Sequence, residues 1–280
     1  MKPMKFEQLP PERLDDAIVH PDVFVQQKID GIRAMLQIAG HANALDVRII
    51  GGGGNPTKST TAMPTAQLVT AWAEHTFQPG NYELWIDGEI VNGTWWAFDL
   101  VRSPRTDETT PFQHRIAVLQ ALMRRLPTRP HIRLLPTAKH LDIKQQLVAA
   151  VRANNGEGLI LRHRRSPYNW DQRVNHTLKC KFTHTVDCVV LARNVGGPDK
   201  MNAVLGLSNG NCEYDEIGQC SMIGKPDAQP GDVVEVKYLY AGAGGKLVQP
   251  TVLRIRDDKP AGLCTADQLE FVNKDVVELA

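Results

Sequence analysis

Residues 23–33 have the sequence Val23-Phe24-Val25-Gln26-Gln27-Lys28-Ile29-Asp30-Gly31-Ile32-Arg33, and this stretch decides how the first half of the chain folds. The pattern over residues 23–29 predicts a strand. The Asp-Gly pair that follows predicts a tight turn, and we expect further strands over residues 33–38 and 45–50. The sequence therefore places Lys28 at the end of an early strand, directly before a turn.

A lysine in this position is a candidate nucleophile. Its amine attacks a phosphorus atom only when it is deprotonated, and burial or nearby positive charge favours that state. Gly31 lets the backbone approach a nucleotide closely, and the guanidinium of Arg33 offers five donors to ribose or phosphate. The alternative interpretation, a strand-end turn carrying an exposed ion pair, stays open on these residues alone.

The rest of the sequence predicts two domains, the first with both helices and strands and the second with short strands only. Apolar spacing predicts helices over residues 65–77, 113–126 and 142–153, the last with Asp142 as its N-cap. Paired strands are expected over residues 82–91 and 95–101, and short strands over 158–162 and 177–182. After about residue 183 only short strands follow, over residues 186–192, 203–207, 233–240 and 248–255. This predicts an α+β fold, with a domain of antiparallel sheets and helices over residues 1–183 and a small β-barrel over residues 184–280.

Composition excludes several classes of protein. The hydrophobic fraction of 42% suits a globular core, and no apolar stretch is long enough to span a membrane. The start of the sequence has no apolar signal region, so we expect a cytoplasmic protein. The net charge of +1 does not by itself indicate a nucleic-acid partner. The odd set of cysteines argues against a disulfide framework, and no Cys-x-x-Cys pair predicts zinc: Cys180, Cys188, Cys212, Cys220 and Cys264.

The stretch from Lys28 to Arg33 resembles motif I, Lys-x-Asp-Gly-x-Arg, of the covalent nucleotidyltransferases, which include DNA ligases, RNA ligases and mRNA capping enzymes. Five further stretches resemble the later motifs of this family and follow in the family's order. They are Asp87-Gly88-Glu89, Trp96-Ala97-Phe98-Asp99-Leu100, Glu157-Gly158-Leu159-Ile160-Leu161-Arg162, Leu178-Lys179-Cys180-Lys181 and Arg254-Ile255-Arg256-Asp257-Asp258-Lys259. Together they cover nearly the whole chain.

The resemblance implies a role for each element. Lys28 would carry a covalent AMP, Phe98 would stack on the adenine, and Glu89 and Glu157 would hold Mg²⁺. The resemblance further implies a nucleotide site that includes Gln26, Gln27, Ile29, Arg33, Arg48, Glu89, Lys179, Lys181, Arg256 and Lys259, with Asp30 and Gly31 shaping the turn. At Gln26 the sequence departs from the family, in which ligases often carry a Glu that faces the adenine amine. A glutamine can still accept that hydrogen bond.

Within the family, the Arg-x-Asp-Lys and Phe-Asp forms are more similar to DNA ligases than to capping enzymes. The sequence lacks the additional domains of NAD⁺-dependent ligases. We therefore expect an ATP-dependent DNA ligase of the small type, with an adenylation domain followed by an OB-fold domain. It would act as a monomer with ATP and Mg²⁺ on nicked duplex DNA, in DNA repair or replication.

Other functions fit the sequence less well. An RNA ligase or a capping-type enzyme remains the alternative within the family. A P-loop is disfavoured because Thr57 stands where that motif needs a glycine before Lys58. A zinc hydrolase is disfavoured because His163, His176 and His184 form no pair at helical spacing. A DNA-binding module without catalysis would not need Lys28, Glu89 and Glu157 together, and uptake of covalent label from ATP would distinguish it.

Overall fold

The structure, a computed structural model, describes residues 1–126, 129–195, 201–211 and 213–278. The chain divides into two compact units. Unit 1 contains Met1–Lys181 together with Lys274–Ala280, and unit 2 contains Phe182–Asn273. The boundary therefore falls two residues before the predicted one between residues 183 and 184. The last residues also belong to unit 1, where Val276 packs against an apolar cluster.

Unit 1 is built on two sheets. Its strands are β1 (Lys5–Gln8), β2 (Val23–Lys28), β3 (Ile32–His41), β4 (Ala44–Gly51), β5 (Tyr82–Val91), β6 (Thr94–Arg102), β7 (Ile132–Leu134), β8 (Gly158–His163) and β9 (Arg173–Lys181). The first sheet has the order β1-β9-β8-β2 and the second the order β4-β3-β5-β6-β7. The β1–β9 and β6–β7 pairs are parallel, and the other pairs are antiparallel.

The helices of unit 1 are α1 (Leu14–Ile18), α2 (Met63–Thr76), α3 (Phe112–Arg125) and α4 (Leu141–Ala153). The three longer helices confirm the predicted ones to within about two residues. Val69 and Trp72 of α2 and Ile116 and Leu119 of α3 are buried against the second sheet, three residues apart in each helix. The predicted N-cap was wrong: the cap is His140, which makes no side-chain cap hydrogen bond, and Asp142 lies in the first turn.

The turn after Lys28 carries the chain from one sheet to the other. Strand β2 belongs to the first sheet and β3 to the second, so residues 29–31 bridge them. Gly31 is required there because a Cβ atom would overlap the carbonyl oxygen of Ile90 in β5. Lys28 therefore lies at the boundary between the two sheets, a position that any ligand entering between them would reach.

Unit 2 contains β10 (His184–Val195), β11 (Met201–Ser208), β12 (Tyr214–Ser221), β13 (Val233–Tyr238) and β14 (Thr251–Ile255). They form one antiparallel sheet of five strands in the order β12-β11-β10-β13-β14. The amide of Leu247 donates to the Ile217 carbonyl at 2.8 Å, so the segment before β14 lies beside β12. Among the described residues β12 and β14 do not pair as strands, and the predicted barrel is not closed.

None of the helices in the described ranges has the length and apolar character needed to cross a membrane. Four cysteines, Cys180, Cys188, Cys220 and Cys264, are buried free thiols. Cys212 lies outside the described residues.

Candidate active site

A cavity of about 240 Å³ opens at the turn between the two sheets of unit 1. Its lining includes Gln26, Gln27, Lys28, Ile29, Gly31, Arg33, Glu89 and Phe98, all predicted from the sequence, and also Phe6, Leu135, Ile160 and Arg162. A larger groove of about 840 Å³ lies elsewhere on unit 1, along α3 and residues 129–136, and contains none of the predicted residues. The chemistry-bearing side chains therefore converge on the smaller cavity.

Strand register explains why Lys28 meets its partners. Lys28 pairs with Gly158 of β8, and Gly158 pairs with Lys181 of β9. Gly158 has φ +145°, and a Cβ atom there would overlap the Cys180 carbonyl, so only glycine fits this row. Glu157 immediately precedes this row, which places its carboxylate beside both lysines.

The carboxylate of Glu157 joins the two lysines. Its side chain is only 4% exposed, and Oε2 forms an ion pair with Lys28 Nζ. The other oxygen, Oε1, lies 3.4 Å from Lys181 Nζ. Burial, together with the positive charges of Arg173, Lys181 and Lys28, lowers the pKa of Lys179. The amine of Lys28 thus lies in a cationic cluster that one buried acid partly neutralises.

Glu89 lies on the other side of the turn. Its Oε1 accepts a hydrogen bond from the backbone amide of Gly31 at 2.9 Å. Burial raises the pKa of Glu89 to about 7, while Lys28, Arg33 and the Gly31 amide act in the opposite direction and Glu157 adds repulsion. Glu89 is therefore close enough to Lys28 to sense its charge, and two acids flank the candidate nucleophile.

Arg33 is held in place by Asp87, a residue of the predicted motif whose role the sequence did not indicate. Arg33 Nε donates to Asp87 Oδ1 at 2.7 Å, and its terminal nitrogen forms an ion pair with Oδ2. The hydroxyl of Tyr168 also donates to Oδ2, at 2.7 Å. The guanidinium carbon of Arg33 lies 5.2 Å from the ring centre of Phe98 and 5.4 Å from that of Phe6.

A second buried network, formed by Asp99 with Arg115 and Arg162, adjoins Phe98. Asp99 accepts hydrogen bonds from Arg115 Nε at 2.9 Å and from Arg162 at 2.7 Å. The guanidinium carbon of Arg162 lies 5.3 Å from the Phe98 ring centre. Arg162 ends the predicted Glu157–Arg162 motif, but neither its place in the cavity wall nor its bond to Asp99 was predicted.

The two glutamines before Lys28 face different partners. The Nε2 amide of Gln26 donates to the Phe98 carbonyl at 3.3 Å and to Thr137 Oγ1 at 2.9 Å. Gln27 bonds to the C-terminal segment of residues 274–278: its Nε2 donates to the Asp275 carbonyl at 2.9 Å, and its Oε1 accepts from the Val277 amide at 2.8 Å. The same segment places Lys274 Nζ 2.8 Å from Asp30 Oδ2. No local pattern in the sequence indicated these contacts of the C-terminal segment.

Seven of the predicted residues do not line this cavity. Glu157, Lys179 and Lys181 lie beside Lys28, and Asp30 lies in the turn that follows it. The other three lie elsewhere.

Arg48 is exposed on β4 and pairs with Asp46, two residues away on the same strand face, so the structure does not place it at the site. Arg256 and Lys259 belong to unit 2, where Asp187 binds both, at 3.1 and 2.8 Å. Asp187 was not anticipated, because it lies about 70 residues earlier in the chain than its two partners.

Comparison with known proteins shows what fold this is. No protein-family model and no curated protein matches the sequence. Among solved structures, the ligase domain of M. tuberculosis LigD is 17% identical, with 94% of this chain and 97% of that chain covered and a TM-score of 0.52. A mycobacterial DNA ligase D complexed with ATP and MES is 18% identical, covers the same shares and also has a TM-score of 0.52.

A structure from a study of Lig E DNA ligases as minimal DNA-binding scaffolds is 20% identical, with 91% of this chain and 99% of that chain covered and a TM-score of 0.63. At such identities the likeness is one of fold. The chain therefore has the fold of these DNA ligase domains.

Proposed function

We propose that this chain, which has the fold of DNA ligase domains, is an ATP-dependent DNA ligase that carries AMP on Lys28. The observation that carries the proposal is the surroundings of that amine. It lines the cavity between the two sheets, pairs with the buried Glu157, and lies within electrostatic reach of Glu89. A lysine nucleophile among two acids and further lysines is the arrangement that nucleotidyl transfer requires.

In the first step, the amine of Lys28 attacks the α-phosphorus of ATP. A nitrogen–phosphorus bond forms, the bond to the bridging oxygen breaks, and pyrophosphate leaves with the electron pair. Glu157, already bonded to the amine, accepts the proton that the ammonium must lose. Lys179 and Lys181 oppose a further positive charge in the cluster and attract the phosphates. An oxygen of the 5′-phosphate at a nick then attacks the phosphorus of the bound AMP, and the nitrogen–phosphorus bond to Lys28 breaks. The 3′-hydroxyl finally attacks the 5′-phosphorus, its proton passes to solvent, and AMP leaves with the electron pair of the bridging bond.

The cavity supplies a place for the base beside the nucleophile. Phe98 offers an aromatic face, and Ile160, which pairs with Gln26 across β2 and β8, adds an apolar wall. Arg33, fixed by Asp87, can donate to ribose or phosphate oxygens. The apolar base and the charged phosphates would thus meet different walls of one site.

The donor set suits a magnesium ion. Glu89 uses one oxygen for the Gly31 amide, and no described residue donates a hydrogen bond to the other. Burial raises its pKa to about 7, as is typical of a carboxylate that lacks a full counter-charge. Glu89 and Glu157 would hold Mg²⁺, since the ion prefers carboxylate oxygens and takes few of them from protein. When bound, the ion would neutralise charge that develops on the phosphates.

Unit 2 would complete the enzyme. We assign residues 1–183 with the returning C-terminal segment to the adenylation domain, and the five-stranded sheet of unit 2 to an OB-type domain. Arg256 and Lys259 would contact the leaving pyrophosphate, and Asp187 would hold their side chains in place beforehand. The substrate in this proposal is nicked duplex DNA, and the likeness to Lig E DNA ligases, whose structural study concerns DNA binding with a minimal scaffold, supports DNA as the partner.

Self-labelling with radioactive ATP tests the proposal. We expect the wild type to take up covalent AMP in the presence of Mg²⁺, and Lys28→Arg to take up none while keeping its fold. Lys5→Arg, an exposed lysine on β1 of the same unit, is the matched control and should label normally. Chase of the labelled protein with nicked duplex DNA should release AMP and seal the nick only when the 5′ end is phosphorylated.

Each alternative has its own outcome. Labelling of Lys28→Arg would contradict the choice of nucleophile. Sealing of nicks in RNA strands but not DNA strands would favour an RNA ligase, and transfer of label only to a 5′-diphosphate RNA end would favour a capping-type enzyme. DNA binding without uptake of label from ATP would indicate a binding module.

A further inference from the structure

The C-terminal segment of residues 274–278 is bonded to the residue that precedes Lys28. Gln27 uses both ends of its side-chain amide: Oε1 accepts from the Val277 amide at 2.8 Å, and Nε2 donates to the Asp275 carbonyl at 2.9 Å. Gln27 is only 4% exposed, so the loss of either bond would leave a buried polar atom without that partner. The segment is thus attached to β2 directly before the candidate nucleophile.

The same segment also holds the turn that follows Lys28. Lys274 Nζ lies 2.8 Å from Asp30 Oδ2, and both side chains are partly exposed. Val276 packs against the apolar cluster that contains Ile29. The segment therefore contacts the chain on both sides of the candidate nucleophile.

Strand pairing does not extend over this turn. Strand β2 ends at Lys28 and β3 begins at Ile32, so residues 29–31 lie outside both strands. Attack on phosphorus requires the amine at a narrow range of distances and angles, and a misplacement of about 1 Å can slow such a reaction a hundredfold. Contacts that fix the backbone before and after Lys28 therefore affect the rate of the attack.

From these contacts we infer that the C-terminal segment positions Lys28 for the transfer of AMP to its amine, with Lys274 and Val277 as the positioning residues. The backbone amide of Val277 holds Gln27, and the ammonium of Lys274 holds the turn through Asp30. The inference rests on the proposed function for its reaction and adds to it two residues from outside the six motifs. Positioning of this kind raises the maximal rate of AMP transfer and leaves the half-saturating concentration of ATP unchanged.

Single-turnover self-labelling over a range of ATP concentrations tests the bond to Gln27. Val277→Pro removes the backbone hydrogen that Gln27 Oε1 accepts. We expect the maximal rate of labelling to fall about tenfold, the value of one buried hydrogen bond, at an unchanged half-saturating concentration of ATP. Val277→Ala shortens the side chain but keeps the N–H, so it should retain the wild-type rate.

The ion pair is tested by a second set of variants that leaves the backbone unchanged. Lys274→Met removes the charge at similar length and should lower the maximal rate about threefold, a small effect because the pair is partly exposed. Lys274→Arg keeps the charge and should label at the wild-type rate. The matched control is Lys246→Met, which breaks an exposed ion pair with Glu216 in unit 2 and should also label normally.

Sealing of pre-adenylated DNA separates positioning from folding. That step neither forms nor breaks a bond to Lys28, so Val277→Pro should slow sealing much less than it slows labelling. Equal losses in both reactions would show that the segment only stabilises unit 1 and would overturn the inference. Wild-type labelling by both Val277→Pro and Lys274→Met would also overturn it and leave the proposed function standing. If the wild type itself takes up no label, the proposed function fails and the inference fails with it.

Discussion

Removal of the Asp99 side chain is expected to destabilise unit 1 strongly. Its side chain is 0% exposed, and it accepts from Arg115 Nε at 2.9 Å and from the terminal nitrogens of Arg115 and Arg162 at 3.0 and 2.7 Å. Both guanidiniums are buried as well. Asp99→Ala leaves two buried cations without their shared counter-charge, and breaking a buried ion pair in this way costs about 3–5 kcal/mol.

A second variant divides that loss into its parts. Asp99→Asn keeps the shape and one acceptor oxygen but loses the charge. It should cost roughly 2 kcal/mol, since hydrogen bonds to charged groups contribute about 1.5–3 kcal/mol each. Asp46→Ala is the control: Asp46 pairs with Arg48 on the exposed face of β4, where an ion pair contributes at most about 1 kcal/mol.

Urea unfolding followed by tryptophan fluorescence is the appropriate assay. The five tryptophans all lie in unit 1, so the signal is free of unit 2: Trp72, Trp85, Trp95, Trp96 and Trp170. The free energy of unfolding is obtained from the midpoint and slope of the transition. If Asp99→Ala lies within about 1 kcal/mol of the wild type, the buried network does not stabilise the fold as argued.

Three further outcomes are expected. A chain ending at Asn273 should lose about 2 kcal/mol of the free energy of unfolding of unit 1 in the same assay. It lacks the apolar contact of Val276 and the two hydrogen bonds between the C-terminal segment and Gln27. An unchanged unfolding midpoint would refute this. Gly31→Ala should reduce self-labelling at least tenfold, because the added Cβ would overlap a backbone carbonyl of β5. Gly53→Ala is the control and should label like the wild type, because the space around Gly53 is open. Equal labelling by the two variants would count against the tight turn. Replacing Arg256 and Lys259 by alanine should slow adenylation from ATP without preventing the sealing of pre-adenylated DNA. Point variants are needed here, because deleting everything after residue 183 would also remove the C-terminal segment that belongs to unit 1.

Local patterns in the sequence predicted most elements of the fold but not how they pair. Alternation and helical spacing are short-range signals, and the strands and helices they predicted are present. Strands β1 and β7 were missed because they have four and three residues, too few for any period to show. Strand β12 was also missed, although it has eight residues, because most of its side chains are polar and exposed and show no apolar alternation. The passage of the chain between two sheets at Gly31 was also missed, because pairing depends on partners such as β8, which lies more than a hundred residues later.

The same distinction applies to the site. Residues inside the six motifs, such as Lys28, Glu89 and Phe98, were predicted, and eight of the predicted residues line one cavity. Residues that reach it from outside the motifs were not. Phe6, from an edge strand, lines the cavity, whereas Thr137 and the C-terminal segment bond to Gln26 and Gln27 in its wall. Only their long-range contacts give these residues a role, and a single sequence does not encode such contacts in any local pattern.

The two buried networks together carry an excess of positive charge next to the cavity. Asp87 and Asp99 are cross-strand partners on β5 and β6, and three guanidiniums, of Arg33, Arg115 and Arg162, surround them. Two carboxylates do not balance three cations, and the buried Nε of Arg162 has no hydrogen-bond partner among the residues that the structure describes. An unbalanced buried charge destabilises a fold, so its presence in a cavity wall indicates a ligand. The phosphates of a nucleotide are anions of the required sign, and their binding should relieve the imbalance; unit 1 should therefore unfold at higher urea concentration with ATP present, and less so as salt screens the attraction.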